Sequence, residues 1–111
     1  QDYSSVKLLK LSNNSTEQSQ MIIEHSNYPN PFNPQTRISY YLPADGNVDI
    51  SIYNIKGSKI KKLVSGFLNQ GSHSVVWNGK DENNKAAASG IFFYKIKTDY
   101  ETATGKILLL K

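Results

Sequence analysis

Val48-Asp49-Ile50-Ser51-Ile52-Tyr53 alternates apolar and polar positions without a break. Successive side chains of a strand point to opposite faces, so this stretch reads as a β-strand with Val48, Ile50 and Ile52 against a core. Upstream, Ile38, Tyr40 and Leu42 alternate with Arg37, Ser39 and Tyr41 in the same way. Pro43-Ala44-Asp45-Gly46-Asn47 supplies the turn between the two. Downstream, Asn54-Ile55-Lys56-Gly57 turns the chain again, with Gly57 available for a positive φ.

The same period continues outward. Ile60, Leu63 and Val64 lie in a lysine-rich segment whose phase breaks at Lys61-Lys62, which predicts a bulge or an edge strand. Gly66 and Gly71 bracket what reads as a short connector holding Phe67 and Leu68. His73, Val75 and Trp77 share one face. Phe92, Tyr94 and Ile96 share another, opposite Phe93, Lys95 and Lys97. Trp77 is the largest expected core contributor, and its indole nitrogen needs an acceptor. No segment carries a helical period. The expectation is an all-β fold, an immunoglobulin-like antiparallel β-sandwich of about seven strands with an N-terminal extended arm.

At 111 residues the chain suits one domain plus an arm, and 38% hydrophobic with 11% aromatic residues supports a small core. Nothing approaches the roughly 18 consecutive apolar residues of a membrane helix, so no membrane span is expected. The absence of cysteine excludes disulfides, thiol catalysis and cysteine-ligated metals. The net charge of +4 is modest. Lys56, Lys59, Lys61 and Lys62 cluster locally without interleaved aromatics, which reads as a solvated strand edge and not as a nucleic-acid patch.

Two segments stand outside the strand pattern. Asn27-Tyr28-Pro29-Asn30-Pro31-Phe32-Asn33-Pro34 holds three prolines and three asparagines in eight residues and is neither helix nor central strand. Tyr28 and Phe32 are its apolar anchors, and one or both are expected beneath the loop. Residues 1–20 read as an arm and polar linker, leaving 21–111 as the folded domain. Within the arm, residues 3–11 carry Val6, Leu8, Leu9 and Leu11 in a short strand-like run. It reads as the tail of a preceding domain, a strand folding back on its own sandwich, or a donor strand completing a neighbouring subunit's sheet.

No constellation for catalysis emerges. His25 and His73 lie far apart, and His73 is in phase with Val75 and Trp77, as a structural histidine would be. Asp81, Glu82, Asn83 and Asn84 offer oxygens but lack the spacing of a calcium loop. Nucleophile elbows and phosphate-binding glycine loops are absent. No cofactor, metal or enzymatic activity is expected. Tyr41, Tyr53, Phe93 and Tyr100 leave open an alternative, a carbohydrate-binding accessory module of a secreted enzyme.

Taken together, NYPNPFNP (27–34), VDISIYNIKG (48–57), GSHSVVWNG (71–79), ASGIFFYKI (88–96) and KILLLK (106–111) resemble one family. It is the type A C-terminal sorting domain of the bacterial type IX secretion system, related to the immunoglobulin-like domain of flagellar hook-capping proteins. The resemblance covers roughly residues 21–111. It implies a non-enzymatic module that engages the secretion machinery of the outer membrane and ends up secreted or on the cell surface. It further implies that the last strand, Lys106-Ile107-Leu108-Leu109-Leu110-Lys111, contributes to the sorting signal. In that family a large enzyme or adhesin normally precedes the domain, whereas here the upstream part is short. The chain is therefore expected to be either a piece of a larger cargo protein or a mature protein made of this domain and its arm. In the second case the arm is a candidate device for self-assembly into an extracellular filament, with the protein its own partner.

Overall fold

A computed structural model of the chain describes residues 22–31 and 35–110. They form seven strands: β1 (Glu24–Tyr28), β2 (Thr36–Leu42), β3 (Gly46–Asn54), β4 (Lys59–Leu68), β5 (Gly71–Trp77), β6 (Gly90–Thr98) and β7 (Thr102–Leu109). The sheets have strand orders β1-β2-β5 and β4-β3-β6-β7, and every pairing is antiparallel. The expected all-β, immunoglobulin-like sandwich is what the chain forms. Here β4 sits beside β3, on the sheet that also holds β6 and β7. The arm residues Val6, Leu8, Leu9 and Leu11, the loop residues Phe32, Asn33 and Pro34, and Lys111 lie outside the described residues.

The period-two pattern translates directly into burial. Ile38 and Leu42 from β2, Ile50 and Ile52 from β3, Ile96 from β6 and Ile107 from β7 are wholly excluded from solvent. Trp77 joins them, its ring edge-on to Phe92 with centroids 5.3 Å apart. Its indole Nε1–H donates to the Lys80 carbonyl at 2.9 Å, which answers the need of a buried indole. Ser51 departs from the pattern. It faces outward yet is 1% exposed, with Lys62 and Lys95 directly opposite it on the two neighbouring strands and its hydroxyl bonded to Asp49 at 3.1 Å.

The lysine-rich strand is both bulged and at an edge. Its register against β3 shifts between Ile50 and Ser51 and again between Ile52 and Tyr53, so Leu63 and Ile60 are skipped in the pairing. Lys61 thereby reaches the rim, where its ammonium lies 3.7 Å from Glu82. One expectation is corrected. Phe67 and Leu68 are not in a connector but end β4, paired with Asn47 and Gly46. Strand pairing runs through Gly66, opposite Val48, because the backbone groups of a glycine bond like any other. The crossing to the other sheet is Asn69-Gln70 alone, and the Gln70 N–H donates to Asp45 Oδ1 at 2.6 Å to hold it.

Candidate functional site at the seventh strand

β7 closes one edge of the four-stranded sheet. Ile107 and Leu109 point into the core, while Lys106 stays exposed and Leu108 half-buried on the outer face. Because backbone groups alternate in direction along a strand, Gly105, Ile107 and Leu109 bond towards β6. Lys106 and Leu108 therefore turn their N–H and C=O groups towards the free edge.

The proline-rich loop meets that free edge. The side chain of Asn30 donates from Nδ2 to the Lys106 carbonyl at 3.3 Å and accepts from the Leu108 N–H at 2.9 Å. A primary amide carries the same donor and acceptor as a peptide unit, so Asn30 stands in for one residue of an additional strand. Thr36 at the start of β2 fixes the loop from the other side, its hydroxyl donating to the Pro29 carbonyl at 2.8 Å. Two segments some 76 residues apart in sequence, the signature loop and the last strand, are thus one structural unit. Tyr28 takes no part in it. It is 80% exposed rather than buried beneath the loop, because it continues the outward phase of Glu24 and Ser26 along β1.

A second link runs behind β7. Gly105 pairs with Tyr94 on β6, and a Cβ at position 105 would land on the ring and hydroxyl of Tyr94. The Tyr94 hydroxyl crosses to the other sheet and shares a 2.6 Å hydrogen bond with Nδ1 of His25 on β1, the rings meeting edge-on. Tyr94 is only 1% exposed, and burial pushes its hydroxyl up to about 12. The Gly105 contact had a trace in the sequence, since a glycine inside a strand pattern marks a close approach of a neighbour. The Asn30 clamp had none beyond the turn propensity of asparagine.

The remaining candidates play local roles. His73 bonds the Asn69 carbonyl through Nε2 at 2.7 Å and stacks on Tyr40. Asp81 Oδ1 accepts the N–H groups of Asn83 and Lys85, so that carboxylate organises its own turn. Among the described residues no three His, Cys, Asp or Glu side chains converge to hold a metal. No helix among them is long and apolar enough to cross a membrane.

Fold, loop and last strand together define an immunoglobulin-like β-sandwich domain whose N-terminal turn is stitched to its C-terminal edge. The chain belongs to the FlgD Ig-like domain family, which matches residues 30–104, well over half its length. Residues 106–111 lie beyond that match. The crystal structure of FlgD from P. aeruginosa is similar at 26% identity and a TM-score of 0.54, covering 67% of this chain and 59% of that one. Dimeric latent PorU from Porphyromonas gingivalis is similar at 14% identity and a TM-score of 0.63, covering 80% of this chain and 9% of that one. PorZ, described as an essential surface component of the type IX secretion system of the same organism, gives 16% and 0.56 over 78% of this chain and 11% of its own. The likeness to PorU and PorZ is one of fold. Among curated proteins no sequence relative was found.

Proposed function

We propose that this chain is a non-catalytic module that directs a protein through the type IX secretion system to the cell surface or beyond. The observation that carries this reading is the Asn30 clamp. It presents the last strand as a registered, partly covered sheet edge in which Lys106, Leu108 and the half-exposed Leu110 remain accessible. Asn30 already holds the Lys106 carbonyl and the Leu108 N–H, so a partner would read this edge through its alternate side chains, Lys106, Leu108 and Leu110, taken into pockets. Two things support the reading: a sandwich of this shape also occurs in PorZ, described as a surface component of that system, and residues 106–111 resemble the sorting strand. The test is a fusion of residues 22–111 behind a periplasmic reporter in a bacterium with a working type IX system. The reporter should reach the surface or the medium there and stay in the periplasm of a strain lacking the system. Equal release from both strains would overturn the reading.

Self-assembly extends the same proposal. The outer edge of β5 carries no partner strand among the described residues, and a donor strand from residues 3–11 of a second copy has the apolar positions to fill such an edge. Untagged protein should then form filaments under negative stain, and replacing Leu8 and Leu9 with aspartate should leave folded monomers. Filaments that persist in that variant would rule out the arm as donor.

A further inference from the structure

The register of the four-stranded sheet gathers on its outer face residues that the sequence keeps apart. One cross-strand row runs Lys59, Tyr53, Phe93, Lys106, and the next runs Lys62, Ser51, Lys95, Thr104. A third adds Lys97 beside Asp49. Residues facing each other in such rows have Cβ atoms about 5 Å apart. Five lysines therefore stand in these rows with one carboxylate, Asp49, which already accepts the Ser51 hydroxyl at 3.1 Å. Asp99 lines the end of the face beside Asp49 and Lys97, and Glu82 accepts the Lys62 N–H at 2.8 Å. Among the described residues none of these five lysines is engaged in an ion pair; Lys61, which is, lies at the rim with Glu82.

The floor between the lysines is aromatic. Tyr53 and Phe93 are directly opposite across β3 and β6, and the Lys95 ammonium sits 5.2 Å from the centre of the Tyr53 ring. Beside them opens a cleft of about 240 Å³, walled by Ile55, which is 70% exposed, and by the Asn54–Gly57 turn. That turn is a fixed wall. Asn54 Oδ1 accepts the N–H groups of Lys56 and Ser58, and Gly57 takes the positive φ of 88° that the turn requires. In sequence order the lysine cluster has no aromatic partner. In the sheet, β3 and β6 supply two.

We infer that this face is a binding site for an acidic polysaccharide, with one sugar ring against Tyr53 and Phe93 and carboxylate or sulfate groups along the lysine rows. Charge complementarity selects an anionic partner. The one aromatic pair, Tyr53 and Phe93, suits one ring, whereas a single-stranded nucleic acid needs stacking platforms for successive bases. The charges are all lysine, point cations without the planar fork that favours bidentate phosphate recognition, and the chain's one arginine, Arg37, lies on the other sheet. This site shares Lys106 and Thr104 with β7 but uses the outer face and not the strand's edge groups, and it does not depend on the export reading.

The test is titration of the full chain with a defined oligogalacturonate, followed by amide chemical shifts, with neutral dextran and an oligothymidylate as comparators. Shifts should centre on Ser51, Tyr53, Phe93 and Lys95 and weaken as salt rises. Lys62→Gln, an exposed change that leaves the fold intact, should weaken binding about threefold, and Tyr53→Ala about tenfold. Absence of shifts with oligogalacturonate, or equal shifts with dextran, would overturn the site. Tighter binding of the oligothymidylate at the same residues would overturn its assignment to polysaccharide.

Discussion

Gly105 and Asn30 do work at the residue scale that no neighbour of theirs could take over. At Gly105 the Tyr94 ring occupies the space a side chain would fill, so Gly105→Ala should destabilise the domain by about 1–3 kcal/mol in urea unfolding, an overpacking cost. Asn30→Ala removes two bonds to a half-open edge and should cost about 1 kcal/mol. Its sharper signature is in hydrogen exchange: the Leu108 amide should lose protection while Ile107 and Leu109, bonded to β6, keep theirs. Tyr94 gives a pH dependence. Its hydroxyl ionises at about 12 in the folded chain against an ordinary 10.0, so its contribution is complete below 10.0 and is lost as pH rises towards 12. Thermal unfolding should weaken across that window, and Tyr94→Phe should make the decline shallower. Burial also raises the Tyr40 hydroxyl, which accounts for part of the slope that remains.

Among the elements, β7 is the one whose loss the fold cannot absorb. Ile107 and Leu109 are fully buried, each worth about 1.5–3 kcal/mol, against a typical total of about 5–15 kcal/mol for a domain. Removing residues 106–111 should therefore abolish a cooperative thermal transition, and unchanged unfolding would show the strand to be dispensable. The strands themselves were legible in the sequence because period-two burial is a local signal: β2, β3 and β6 bury the very residues their alternation names. Phe67 and Leu68 were misplaced because glycine at 66 looks like punctuation, although its backbone pairs normally with Val48. Of the two aromatics expected as anchors beneath the loop, Tyr28 is carried outward by the phase of β1, and Phe32 lies outside the described residues.

For the whole molecule, sequence order hides what the two sheets bring together. The clamp from Asn30 to Lys106 and Leu108 and the lysine–aromatic face of β3, β4, β6 and β7 both depend on register between distant strands, which no local pattern encodes. The signature loop and the last strand were each visible as motifs; their contact was not. That contact gives the export proposal its most specific consequence, since a reader of the β7 edge would sense the clamp as well as the strand. The decisive measurement is the exported fraction of a reporter carrying residues 22–111 with Asn30→Ala, set beside the unaltered domain, in cells with a working type IX system and with folding checked by urea unfolding. The account predicts a domain that still unfolds cooperatively but exports poorly. Undiminished export by a variant whose Leu108 amide has lost its protection would contradict it.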